Sequence, residues 1–104
     1  PRPMELILMG LGGCASFDIV TILKKSRQDV TGVVCQLKAE RAESIPAVFT
    51  KIHLHFVVTG HAVKEKQVAK AVELSAEKYC SASKMLSDGG VEITHDFEII
   101  ESEA

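Results

Sequence analysis

The sequence predicts an α+β fold, a single domain over residues 1–104, in the order helix, strand, strand, helix, strand, with the strands antiparallel. Three observations predict it. Met4 to Lys25 is an apolar run with hydrophobic side chains on nearly every face, so a helix there must be almost wholly buried. Val30–Arg41 and Val48–Thr59 alternate apolar and polar residues with the period of a strand. Lys64 to about Ser87 places apolar residues at helical spacing, stops at Asp88-Gly89-Gly90, and leads into a last alternating stretch, Val91–Ile100.

Each element has its own local reasons. Pro1 and Pro3 set an extended lead-in, and Pro3 suits the first helical position, where no N–H is needed. Glu5 in the first turn and Lys24, Lys25 and Arg27 in the last have the signs that a helix dipole favours. After a turn at Gln28-Asp29, Thr31, Val33, Cys35, Leu37 and Ala39 form one strand face. Glu43 to Pro46 breaks the strand. In the next, Thr50, Ile52, Leu54, Phe56 and Val58 oppose Phe49, Lys51, His53, His55 and Val57, giving an antiparallel pair with one apolar face. Gly60-His61 ends it. Val68, Ala69, Val72, Ala76, Tyr79, Ser83 and Leu86 make the stripe of the second helical region, with Cys80 on the stripe; one continuous helix and two helices broken near Tyr79 both fit the spacing. Val91, Ile93, His95, Phe97 and Ile99 share one side of the last strand, and the tail Glu101–Ala104 is expected to be solvated.

Composition excludes several functions. A net charge of −2 and a pI near 6.1 make no electrostatic case for nucleic acid or an anionic membrane. Aromatics are only 5% of the chain, with no Trp, which argues against a base-stacking surface. Cys14, Cys35 and Cys80 are too few and scattered for a secreted disulfide scaffold, and no CxxC pair suggests a zinc knuckle. The odd thiol count points to a reducing cytoplasm. Because it begins Pro-Arg-Pro, the chain reads as part of a longer product, with an unknown length before Pro1.

The opening run admits four readings. Gly10-Leu11-Gly12-Gly13-Cys14-Ala15 fits a G-x-G-x-x-A dinucleotide loop if Glu5–Met9 is a strand, but the rest of the chain offers no further βαβ unit. Leu11-Gly12-Gly13-Cys14 mimics a lipoprotein cleavage box, yet Glu5 lies in the charged region and apolar residues continue to Leu23. A membrane span would place Asp18 near the bilayer centre at a cost of roughly 3 kcal/mol. The fourth reading is a buried helix presenting a thiol. Gly10, Gly12 and Gly13 each cost such a helix roughly 1 kcal/mol against Ala, and in return let another backbone come close to Cys14. Cys14 as a small core residue is the plain version of this reading. Cys80, on the stripe of the other helix, supports the chemical one: two facing thiols are what a peroxide-reducing pair requires.

Pro3-Met4-Glu5-Leu6, then Gly-Gly-Cys14 opening DIVTILKK, FTKIHLHFVVTG in mid-chain, and LSAEKYCS around Cys80 together resemble the OsmC/Ohr family, the osmotically inducible and organic hydroperoxide resistance proteins. The resemblance covers nearly all of the chain and looks closest to a less characterised branch. It implies an intertwined homodimer with the two cysteine-bearing helices at its centre. Cys14 would be the peroxidatic thiol, Cys80 the resolving one, and Glu5 the carboxylate that pairs with a thiolate-holding arginine. The substrate would be an organic hydroperoxide, and the electrons would come from a dithiol reductant, lipoylated proteins in the hydroperoxide-resistance branch. Neither a cofactor nor a metal is implied. Two departures stand out. The family's arginine belongs to an N-terminal β segment absent from this chain, and Ser81 follows the second cysteine where many members have Pro.

The remaining candidates are weighed by their surroundings. Cys14 lies more than two turns into the helix, so the dipole alone activates it little. Asp18, one turn later on the same face, would oppose thiolate formation if ionised, and a solvated polar contact is its plainer role. His53 and His55 have the spacing of a bidentate metal pair, but no third ligand is evident beside them. Cys35 reads as core, and His61 and His95 receive no role. The resulting expectation is a thiol peroxidase acting through Cys14 and Cys80. A noncatalytic small-molecule or partner-binding module on the same fold is the alternative.

Overall fold

The computed structural model describes residues 2–102. Pro1 and the end of the tail expected to be solvated lie outside them. The elements are α1 (Pro3–Lys25), β1 (Asp29–Arg41), β2 (Phe49–His61), α2 (Glu65–Leu74), a π turn (Ser75–Tyr79), α3 (Ser81–Asp88) and β3 (Glu92–Glu101).

Local chemistry bounds α1 at both ends. Pro3 opens it, and the Glu5 carboxylate accepts the Arg2 N–H at 3.2 Å, closing a capping box. At the other end Arg27 takes a left-handed φ of 60°, and the Gln28 N–H reaches back to the Leu23 carbonyl at 3.0 Å. The glycine cluster lies inside this continuous helix, so there is no strand before it and no phosphate loop. By length and composition α1 is apolar enough to cross a membrane, and Leu11, Ile19 and Leu23 are fully buried against the rest of the chain. Leu6, Met9 and Phe17 are exposed, however, so the expectation of an almost wholly buried helix is corrected to one buried face.

The three strands form one sheet in the order β1-β2-β3, with β2 at its centre. β1 and β2 pair antiparallel as expected, but β3 runs parallel to β2, so the all-antiparallel expectation is corrected to a mixed sheet. The cause is the connection. A chain leaving β2 through α2, the π turn and α3 returns to the end where β2 began, and such a crossover makes parallel neighbours. Ile52, Leu54, Phe56 and Val58 of β2 are buried beneath the helices, while His53 and His55 point to the other face. Phe49, expected with the polar set, is buried instead, because the β1–β2 register shifts between Glu40 and Arg41.

The second helical region is not one helix. The Cys80 N–H bonds the Ser75 carbonyl at 2.8 Å, five residues back, and Cys80 itself is extended (φ −79°, ψ 100°). Of the two forms the spacing left open, the one broken near Tyr79 is present, so the single second helix in the expected element order becomes two. Cys80 is therefore the N-cap of α3 rather than a residue on a helical stripe.

Gly60 shows how tightly the β2 end is packed. A Cβ there would run into the Asp29 carbonyl oxygen and the Val63 side chain. Gly60→Ala is expected to destabilise the fold by about 3 kcal/mol, at the top of the usual range for overpacking, as measured by urea unfolding.

Candidate functional site

Cys14 sits on a seam of α1. At 3.6 residues per turn, Leu11, Ala15 and Ile19 fall on the face turned to the sheet, whereas Leu6, Gly10, Gly13 and Phe17 form a stripe on another side. Cys14 lies between the two and is half-buried. Asp18 follows one turn later on the same seam, also half-buried.

Cys80 is brought to this seam by a hydrogen bond that side-chain periodicity does not foretell. The buried Ser75 hydroxyl, at the start of the π turn, donates to the Ala15 carbonyl of α1 at 3.1 Å. It ties the turn to α1 beside Cys14, five residues before Cys80. Cys80 is 3% exposed, and its thiol accepts the Ser83 N–H at 3.4 Å as a helix cap. The Cys14 and Cys80 sulfurs and an Asp18 carboxylate oxygen then lie within 4.8 Å of one another, close enough to face a single ion. Both thiols are free.

The electrostatics of this cluster follow from burial. Burial pushes the Cys80 thiol up to about 11, partly opposed by the Ser83 N–H, while Cys14 and Asp18 add to the upward shift. Burial also raises the Asp18 carboxyl above its usual range. Its Oδ2 is buried without a hydrogen-bond partner among the described residues.

Glu5, expected as the orienting carboxylate, lies elsewhere in the chain. Nine residues amount to two and a half turns, so Glu5 and Cys14 project from opposite sides of α1, about 13 Å apart along its axis. Glu5 caps the helix, and the carboxylate brought to the thiols is Asp18. Asp18 also lines a groove of about 490 Å³ between α1 and α2, with Phe17, Ile22, Leu74 and Tyr79 as its apolar walls and Lys25 and Lys70 among its polar residues. Cys35 is half-buried under α1, where its thiol is pushed up to about 11 by burial, as its core reading implies.

The histidine pair has cross-strand carboxylates that the sequence order concealed. Parallel pairing sets His55 opposite Asp96. Asp96 Oδ1 lies 2.7 Å from His55 Nδ1 and 3.0 Å from His53 Nε2, Glu98 Oε1 is 3.2 Å from His55 Nε2, and Thr94 Oγ1 is 2.7 Å from His53 Nδ1. Hydrogen bonds to Asp96 and Glu98 raise His55, and those from His55 and then His53 lower Asp96. The raised histidine stabilises the fold below its unfolded value of 6.5 and loses that contribution as pH climbs through its folded value. The lowered Asp96 contributes above 3.8 and loses it as pH falls through its folded value. The unfolding-temperature difference between wild type and His55→Gln is therefore expected to be largest between 3.8 and 6.5 and to fade as pH climbs through the folded value of His55. Salt should shrink it, since the pair is exposed. A difference that grows with pH would contradict this assignment.

Both the sequence and the fold have known relatives. Residues 1–96 match the family model described as OsmC-like protein. Protein YhfA of Escherichia coli (strain K12) is 52% identical over 100 residues, which cover 96% of this chain and 74% of that protein. The crystal structure of a hypothetical protein from Aquifex aeolicus VF5 superposes with a TM-score of 0.91 at 36% identity, over 98% of this chain and 76% of that one. An organic hydroperoxide resistance protein from Legionella pneumophila shares the fold, with a TM-score of 0.74 at 17% identity, over 93% of this chain and 69% of that one.

Proposed function

This chain belongs to the OsmC-like protein family, and from that premise we propose that it is a thiol-dependent peroxidase reducing organic hydroperoxides through Cys14 and Cys80. One observation carries the reading: two free thiols, remote in sequence, lie within 4.8 Å of each other. The Legionella pneumophila protein, an organic hydroperoxide resistance protein, suggests the substrate class by likeness of fold. The groove lined by Asp18 offers an apolar wall of Phe17, Ile22, Leu74 and Tyr79 to the organic part of such a substrate.

In the proposed reaction the Cys14 thiolate attacks the terminal peroxide oxygen and the O–O bond breaks. The departing alkoxide takes up a proton and leaves as the alcohol, and Cys14 becomes a sulfenic acid. The Cys80 thiolate then attacks the Cys14 sulfur. The S–O bond breaks, hydroxide leaves as water on gaining a proton, and a disulfide forms. Two thiols have lost two electrons, and the peroxide has been reduced to alcohol and water. A dithiol reductant, such as a lipoylated protein of the cytoplasm, returns the pair to thiols. Asp18 stands beside both sulfurs as the nearest proton carrier.

The working unit is proposed to be a homodimer joined along α1. Leu6, Met9 and Phe17 are 53%, 60% and 72% exposed in the protomer, an unusual cost for large apolar side chains on one helix face. Gly10 and Gly13 lie among them with nothing near their missing Cβ positions, so a second α1 could approach closely. Light scattering is expected to give a dimer for the wild type and a monomer for Phe17→Glu or Gly13→Leu. A monomeric wild type would refute the interface.

The second reading, a noncatalytic small-molecule or partner-binding module, draws on the deep burial of Cys80 and its reluctance to ionise. One experiment separates the two. Anaerobically reduced protein receives one equivalent of cumene hydroperoxide, and its thiols are mapped by mass spectrometry. A Cys14–Cys80 disulfide is expected in the wild type, a Cys14 sulfenate in Cys80→Ser, and no reaction in Cys14→Ser. Unchanged thiols in the wild type would leave the binding module as the better account.

A further inference from the structure

We infer that the reduced protein holds one thiophilic divalent cation of the Zn²⁺ class, bound by Cys14, Asp18 and Cys80. This goes beyond peroxide chemistry and stands whether or not the thiols reduce peroxides. Three features carry it.

The donor set is the first. Two thiolates and a carboxylate are donors that Zn²⁺ selects, at bond lengths of about 2.3 Å to sulfur and 2.0–2.2 Å to oxygen. A tetrahedral ion at those lengths spaces its ligand atoms about 3.5–3.8 Å apart. The three donor atoms here already lie within 4.8 Å of one another, so rotamer adjustments of about an ångström close the site.

The second feature is the fixed backbone. Cys14 and Asp18 are one turn apart on a single helix, and the Ser75–Ala15 hydrogen bond holds the turn before Cys80 against that helix. No large motion is needed to bring the third ligand in.

The third is independent of the thiols. Asp18 Oδ2 is buried and lacks a hydrogen-bond partner among the described residues, an uncommon state for a carboxylate oxygen. A cation between the sulfurs supplies the missing interaction. Three protein ligands leave a fourth position for water or an incoming group. Because the ion engages both sulfurs as thiolates, its binding and the Cys14–Cys80 disulfide exclude each other.

The exposed His53, His55, Asp96 and Glu98 cluster is the competing metal site. Its ring nitrogens are all engaged in cross-strand hydrogen bonds, so it is the poorer candidate.

The test uses the full chain, reduced anaerobically and freed of metal, titrated with Zn²⁺ against a chromophoric chelator and separately with Co²⁺. Peroxide is absent, so the outcome is independent of peroxidase activity. One Zn²⁺ per chain is expected, and the Co²⁺ form should show thiolate charge-transfer bands with the intense visible bands of a tetrahedral site. Asp18→Asn, which preserves shape, and Cys14→Ser, at a half-exposed position, should each weaken Zn²⁺ by more than roughly tenfold, the smallest cost typical of losing even an outer-shell partner. Unfolding temperatures confirm that both variants are folded, and a His53→Gln/His55→Gln variant should bind as the wild type does. Failure of the wild type to compete with the chelator would overturn the inference. So would binding that survives Asp18→Asn and Cys14→Ser, or binding lost only with the histidines.

Discussion

A helix of 23 residues with apolar side chains on nearly every face has more apolar surface than one three-stranded sheet covers. This constraint organises the molecule. The sheet, α2 and α3 take Leu11, Ala15, Ile19 and Leu23, which are all buried. Leu6, Gly10, Gly13 and Phe17 remain as a second stripe. Cys14 and Asp18 stand where the two faces meet, neither lost in the core nor open to water.

The opposing wall of the site depends on a departure from regular structure. Were α2 to continue unbroken to Ser87, Cys80 would be one more position on an amphipathic helix. The π turn, the Ser75–Ala15 hydrogen bond and the cap made by Cys80 itself re-aim the chain, so that the thiol meets α1 beside Cys14 and Asp18. The same break starts α3, which leads into β3 alongside β2.

Much of this was legible in the residues. The span of α1, its capping charges and the alternation of β1 and β2 are all local signals, carried by side-chain period and turn chemistry, whereas the spacing left open whether the second helical region breaks near Tyr79. The direction of β3 was not legible. Alternation along Glu92–Glu101 says which side chains share a face but not which way the strand runs, so the carboxylates opposite His53 and His55 stayed hidden. The role of Asp18 was hidden for a related reason. Helical spacing put Asp18 beside Cys14, yet only the fold shows that Cys80 covers it and leaves its Oδ2 unpartnered. The same spacing already sets Glu5 on the far side of α1, where it caps the helix.

If the fold holds Cys14 and Cys80 within bonding reach before any substrate arrives, the two thiols should behave as one unit toward a mild oxidant. The disulfide equilibrium in a glutathione redox buffer measures this most directly, because it reports the effective concentration of one thiol at the other. An intramolecular Cys14–Cys80 disulfide is expected to dominate at low ratios of oxidised to reduced glutathione, with Ser75→Ala lowering its share and Cys35→Ser leaving it unchanged. Accumulation of separate glutathione adducts on Cys14 and Cys80, with no intramolecular bond, would contradict it.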